Sequence, residues 1–320
     1  MNAKVPPADR PVAGRIAILG TGKMGSAIAA RLSAAGLEVV LWNRTRSRAD
    51  ALGLGTVVDT PAAAARNADL VISSLTGPEA VLAAYLGPDG ALAAGEGTRF
   101  VEMSTTGPDL LRELAGHVEA ARGTLVDAPI LGAPPLVRAG EATILAGGAD
   151  DDVAVASRVL SALGTVRHVG PSGTAAQLKL VANSMLADVI LSAAELQVAG
   201  ESSGLDPEEV FWVLKRIVPG LEPRRAGYIE DRHTPPLFAL RDLRKDLDLA
   251  LALFGKSDAE TPLTNWSSER ITTAAETTPD LDISAVVRPY RKGGRTSTAG
   301  GPPTSRSAAS AARQAPQGPA

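Results

Sequence analysis

Six residues, Gly20-Thr21-Gly22-Lys23-Met24-Gly25, follow the short apolar run RIAIL and open an Ala-rich stretch of helical period. Three glycines at this spacing in a strand-to-helix turn leave few folds open to the chain. The first permits the tight turn, the second lets backbone N–H groups approach a pyrophosphate, and the third allows close packing of helix on sheet. The helix N-terminus adds positive potential for an anion. Together they predict the first β-α-β unit of a dinucleotide-binding domain.

The same rhythm continues downstream. Apolar runs at EVVLWN, ADLVISSL, TRFVEMS and TLVDAP alternate with amphipathic stretches, which predicts a mostly parallel sheet with helices on both faces. This Rossmann-type domain should occupy residues 15–169, after an N-terminal extension at 1–14. From Thr174 the pattern changes to TAAQLKLVANSMLADVILSAAELQVAGESSG, apolar at helical spacing until Gly204, which predicts one long helix joining two domains. Helical segments follow at DPEEVFWVLKRIV, LFALRDLRKDLDLALALFG and TNWSSERITTAAE without strand pattern, so residues 170–290 should form an all-α domain. The tail at 291–320 is Gly, Pro, Ser and Ala with little to bury, a composition that predicts disorder. The long helix and LDLALALFG offer more apolar surface than one small bundle can cover, which predicts a homodimer or homotetramer.

Composition narrows the chemistry. There is no cysteine, hence no disulfide and no thiolate nucleophile, and His117, His168 and His233 are too dispersed for a metal site. A net charge of −3 gives no reason to expect nucleic acid as a partner. The N-terminus lacks the apolar core of a signal peptide, and no run is expected to reach the length that spans a bilayer, so a cytoplasmic protein with no membrane partner is the expectation. Asp150-Asp151-Asp152 reads as a solvated turn and helix cap.

Two places suggest function. The second strand ends at Asn43-Arg44-Thr45, where an acid would serve the ribose hydroxyls of NAD; Arg44 instead suits a 2′-phosphate, with Asn43 and Thr45 as hydrogen-bonding neighbours, which points to NADP(H). Arg46 and Arg48 read as a solvated basic loop. Lys179 and Asn183 stand one turn apart on an otherwise apolar helix face. A lysine buried there would lose solvation of its ammonium and shift toward the operating pH, as a general acid or base requires; periodicity equally admits a lysine snorkelling to the surface.

The segments AILGTGKMGSAIAARL, VLWNRT, VEMSTTGPD, DAPILG, GPSGTAAQLKLVANSM, LRKDLDLAL and DLDISAVV stand in the order and at the intervals of the β-hydroxyacid dehydrogenases, the family that includes 3-hydroxyisobutyrate dehydrogenases and glyoxylate/succinic semialdehyde reductases. The chain resembles that family from Arg15 to Pro289. The resemblance implies that Lys179 exchanges a proton with a small carbonyl or hydroxyacid substrate while the nicotinamide exchanges hydride, and that Asn183 and Ser104 hold the substrate. It places Thr105, Leu75, Thr76 and Lys245 along the cofactor. Read locally, Ser104-Thr105-Thr106 is equally a helix cap, and Lys245-Asp246 a surface ion pair. Many family members carry Ser-Gly-Gly after DAP to hold a carboxylate; here the stretch is Leu131-Gly132-Ala133, so only the backbone donors of Gly132 and Ala133 remain and a larger or more apolar substrate fits better. Imine reductases, which resemble this chain in the fingerprint and the NRT turn but usually carry Asp or Tyr at the Lys179 position, are the second reading, and a non-catalytic NADP-binding protein the third.

Overall fold

The computed structural model describes residues 14–66 and 68–291, so most of the N-terminal extension and the tail after Arg291 lie outside the described residues. Among the described residues nine strands make one sheet: β1 (Arg15–Leu19), β2 (Glu38–Trp42), β3 (Thr56–Val57), β4 (Leu70–Ser73), β5 (Arg99–Glu102), β6 (Thr124–Asp127), β7 (Ile130–Leu131), β8 (Ala142–Gly147) and β9 (Gly164–Gly170). Their order is β3-β2-β1-β4-β5-β6-β8-β7, with β9 also paired to β8. Neighbours from β3 through β6 run parallel, β8 runs antiparallel to β6 and β7, and β9 parallel to β8. The chain winds one way from β1 to β2 and the other way from β1 to β4, and the crevice of such a sheet opens at that switch, beyond the carboxyl ends of the strands.

Both sheet faces are covered, which is why the central strands are apolar on both sides. Ile16, Ile18, Val39 and Leu41 point into one core, together with Ile28 and Leu32 of the first helix, α1 (Lys23–Ala34). Ala17, Leu19 and Val40 point into the other, against Tyr85, Leu111 and Leu114. Each buried aliphatic side chain of this size contributes roughly 1.5–3 kcal/mol.

The second unit is helical. The long helix spans Thr174–Ser202, and Pro207–Ile217, Leu240–Phe254 and Pro262–Thr277 pack around it over a third core that includes Ile190, Tyr228, Leu243, Leu247 and Ile271. The fold is thus a Rossmann-type parallel sheet domain followed by an all-helical domain, joined by one long helix. Contrary to the sequence expectation, the Thr174–Ser202 helix is long and apolar enough to cross a bilayer by length and composition; half of its most apolar 18-residue stretch is buried inside the protein. Val181, Met185, Leu196, Trp212 and Ile217 stay exposed on the outside of this bundle. The aspartates at 150–152 do not cap from outside: they form the first turn of the Asp150–Leu160 helix, where their charge meets its positive end.

Candidate active site

The carboxyl ends of the parallel strands carry the residues expected to hold the cofactor's phosphates and riboses, except Lys245. After β1 comes the glycine turn. Gly20 has φ +97° and donates its N–H to Trp42 O at 2.8 Å; a Cβ there would lie 2.4 Å from Ser74 O. A Cβ on Gly25 would lie 1.9 Å from Gly20 O, so the helix can pass this close to the turn only with glycine. Around Gly22 a Cβ would meet nothing within 4 Å. No side chain caps α1, whose first N–H groups therefore face that open space. Thr21 is buried, and its hydroxyl has no partner among the described residues. Open space at Gly22, an uncapped helix start and an orphaned hydroxyl fit the pyrophosphate of a dinucleotide. Met24 packs half-buried against the sheet core, while Lys23 reaches across to Pro236 O of the helical unit at 2.9 Å. Losing solvation in that crossing lowers the Lys23 ammonium below its ordinary range, although Asp242 nearby opposes the shift.

After β2, Asn43 is structural as well as available. Its Oδ1 accepts from Thr21 N at 3.0 Å and its Nδ2 donates to Thr45 O at 2.9 Å, which ties this turn to the glycine turn. Arg46 is paired with Asp50 and Asp59. Arg44 is exposed and has no ion pair among the described residues.

After β4 and β5 the two loops are bonded to each other. Leu75 N donates to Ser104 Oγ at 2.8 Å, so Ser104 does not act as a helix cap; the following helix starts at Pro108 behind Gly107. Thr76 is exposed at the crevice and Thr105 half-buried. Behind Ser104 lies Glu102, fully buried, which accepts from Ser104 N at 2.6 Å and from Ser73 Oγ, itself bonded to Tyr85 OH at 2.7 Å. Desolvation pushes the Glu102 carboxyl up from its usual range.

The helical unit closes the site. Lys179 is half-buried and donates to Ile130 O at 2.8 Å. Burial lowers its ammonium below the ordinary lysine range, opposed by Asp246 and reinforced by Lys245. Asn183 is buried and donates Nδ2 to Asp246 Oδ2 at 2.6 Å. Lys245 extends over Gly77, where a Cβ would crowd its Cδ at 3.1 Å, and its Nζ bonds both Thr105 O at 2.7 Å and Asp246 Oδ1 at 2.6 Å. The local reading of Lys245-Asp246 as a surface pair is therefore wrong: only 3% of the Asp246 side chain is exposed. Burial raises the Asp246 carboxyl, while Lys245, Lys179 and Asn183 hold it down. Asn183, Asp246, Lys245 and Thr105 thus form one polar thread from the long helix to the loop after β5, and Lys179 stands one turn before Asn183 with its own bond to Ile130 O. Gly132 and Ala133 lie beside it after β7. Pro134 and Pro135 follow and carry no N–H, so these two residues supply the backbone donors of that loop.

Sequence reasoning missed the buried carboxylates Glu102, Asp127 and Asp246. A signal existed for the first two: an acid inside the continuous apolar runs FVEM and LVDA cannot be solvated if the strand is covered on both faces. None of the three histidines joins the site; His233 is buried but bonds Ser284 and Asp231.

Comparison with known proteins agrees with this geometry. Residues 15–170 match the profile of the NAD binding domain of 6-phosphogluconate dehydrogenase, and residues 173–290 match that described as NAD-binding of NADP-dependent 3-hydroxyisobutyrate dehydrogenase. The chain belongs to the β-hydroxyacid dehydrogenase family. Within that family it is similar to Mycobacterium tuberculosis 3-hydroxyisobutyrate dehydrogenase, solved with L-serine, at 27% identity and a TM-score of 0.77 over 88% of this chain and 100% of that one. It is 27% identical to glyoxylate/succinic semialdehyde reductase 1 of Arabidopsis thaliana over 85% of this chain and 96% of the other. It is also 30% identical to the cytokine-like nuclear factor N-PAC of Mus musculus over 91% of this chain, and spans about half of that longer protein, 53%.

Proposed function

We propose that this chain is an NADP(H)-dependent oxidoreductase that interconverts a small 3-hydroxyacid, or related hydroxy-carboxylate, and its semialdehyde or oxo-acid, with Lys179 as general acid and base. The observation that carries the reading is Lys179, half-buried on the long helix with its ammonium bonded to Ile130 O at 2.8 Å, one turn before Asn183, which is bonded to Asp246 and through it to Lys245 and Thr105.

The glycine turn, Thr21 and the start of α1 would hold the pyrophosphate, and Arg44, with Asn43 and Thr45, a 2′-phosphate. Leu75, Thr76 and Thr105 border the space beyond. When bound, the nicotinamide supplies the hydride for reduction or accepts it in oxidation. In the reductive direction Lys179 gives a proton to the carbonyl oxygen; in the oxidative direction it takes one from the hydroxyl. One of its N–H groups is bound to Ile130 O, which fixes the ammonium and leaves the others for substrate. Asn183 has its amide nitrogen committed to Asp246, so its oxygen is the atom free to accept from a substrate hydroxyl. Leu131 supplies no hydroxyl and the prolines at 134 and 135 supply no backbone donors, which favours a substrate whose carboxylate is held lightly and whose tail is apolar.

The test is NADPH oxidation by the wild type and by Lys179→Ala with glyoxylate, succinic semialdehyde, tartronate semialdehyde, methylmalonate semialdehyde and a cyclic imine. Expected are turnover of a semialdehyde or oxo-acid and its loss by at least about 100-fold in the variant, with NADPH affinity retained. Undiminished turnover in the variant refutes the role of Lys179. Faster reduction of the imine would move the chain toward the imine reductases. Tight NADPH binding without turnover of any compound would establish the non-catalytic reading.

A further inference from the structure

Asp127 ends β6 with no exposed surface and no cationic partner among the described residues. Its carboxylate is held instead by the start of the long helix. Oδ1 accepts from Gly173 N at 3.0 Å and Oδ2 from Ala176 N at 3.1 Å. Gly173 precedes the helix with φ +91° and has no side chain of its own to cap it. A carboxylate from the other domain therefore does the capping, and it meets both the orphaned amides and the positive end of a 29-residue helix. The seat is tight: a Cβ on Gly147 would lie 2.4 Å from Asp127 Oδ1.

Three residues after Asp127 comes Ile130, whose carbonyl accepts from Lys179 Nζ at 2.8 Å. Both ends of this segment are pinned to β8, Asp127 opposite Gly147 and Ile130 opposite Ile144. The first turn of the helix is thus bolted to the segment by the carboxylate, and the next turn, one residue triplet beyond Ala176, carries Lys179 back to the same segment. A helix rises about 1.5 Å per residue, so a small slip at its start moves Lys179 relative to Ile130 and the Leu131-Gly132-Ala133 loop by a chemically significant distance.

We propose that Asp127 is the positioning residue for Lys179: it sets how deeply the lysine sits between the domains and how its ammonium faces the substrate loop. The catalytic part of this statement rests on the role given to Lys179 above, whereas the placement of Lys179 can be judged without turnover. The charged groups that act on Lys179 are Asp246 and Lys245, both from the Leu240–Phe254 helix; Asp127 is not among them, so changing Asp127 alters the lysine through geometry.

Asp127→Asn keeps the volume but offers one accepting oxygen, so either Gly173 N or Ala176 N must face an NH₂ group. The experiment measures the titration of Lys179, from the pH dependence of its trace acetylation by mass spectrometry, together with kcat, KM for NADPH and the pH profile of kcat. Expected in Asp127→Asn are a Lys179 titration displaced toward that of an ordinary lysine, and a kcat lowered about tenfold or more. KM for NADPH should stay within about twofold, because the change leaves the nucleotide cradle untouched. Should this variant fail to fold, Gly147→Ala, which presses on the carboxylate from its other side, replaces it and is expected to displace the titration in the same direction. A folded variant whose Lys179 titration and kcat profile match the wild type, whatever its thermal stability, overturns the proposal. An inactive wild type would refute the catalytic reading, while the acetylation titration would still decide the positioning.

Discussion

Two glycines of the same turn should respond to the same substitution in opposite ways. Gly22 has φ −68° and ψ −169°, a conformation alanine adopts freely, and its Cβ would meet nothing within 4 Å. Gly22→Ala should therefore fold at least as well as the wild type and gain about 0.4–1 kcal/mol by restricting the unfolded chain. The added methyl occupies the space in which a pyrophosphate would approach the N–H groups of α1. Each hydrogen bond to a charged oxygen contributes about 1.5–3 kcal/mol, so losing one weakens NADPH binding about 10- to 100-fold. Gly25→Ala is the contrast. Its Cβ would sit 1.9 Å from Gly20 O, and that carbonyl cannot yield, because Gly20 is held at φ +97° and bonded to Trp42 O. Separating helix and turn by roughly 1 Å should cost about 3 kcal/mol of stability. Urea denaturation gives the stability of each variant and NADPH fluorescence titration its affinity. A Gly22→Ala protein that binds NADPH as tightly as the wild type would refute the placement of the phosphates; one that is destabilised would refute the local geometry.

Two further outcomes follow from the charges. Arg44→Ala should weaken NADPH binding about tenfold, the loss of one charge-assisted phosphate contact, and leave NADH binding unchanged; equal losses for both nucleotides, measured by titration, would deny Arg44 contact with a 2′-phosphate. Burial raises the Glu102 carboxyl, so the folded state binds its proton more tightly than the unfolded chain does. Its contribution is complete below the ordinary glutamate value of 4.5 and is lost as pH rises through the raised folded value, at up to roughly 1.4 kcal/mol per pH unit. Glu102→Gln removes this dependence, so denaturation midpoints of wild type and variant should diverge across that window, the wild type falling relative to the variant. Parallel curves would show that the carboxyl is ionised throughout.

Local sequence determined much of this protein. Strand and helix periodicity need only the nearest few residues, so β1, β2, β4, β5, β6 and the Thr174–Ser202 helix were all legible, and the spacing of Gly20, Gly22 and Gly25 implied the phosphate turn because its geometry is local. Lys179 and Asn183 could be placed on one helix face for the same reason. The short strands β3 and β7 escaped notice because two residues have no period, and β8 and β9, though longer, because ATILAG and GTVRHVG have too little alternation to announce an antiparallel addition to a parallel sheet. Only the tertiary structure decided what the charges do. Asp246 reads as solvated in RKDLDLA; it is buried because Asn183, 63 residues away, and Lys245 surround its carboxylate. Asp127 reads as the end of a strand; it becomes the cap of a helix that begins 47 residues later. Ionisation and solvation depend on which atoms fill the surrounding few ångströms, and in a folded chain those atoms come from distant segments, so no local pattern can state them in advance.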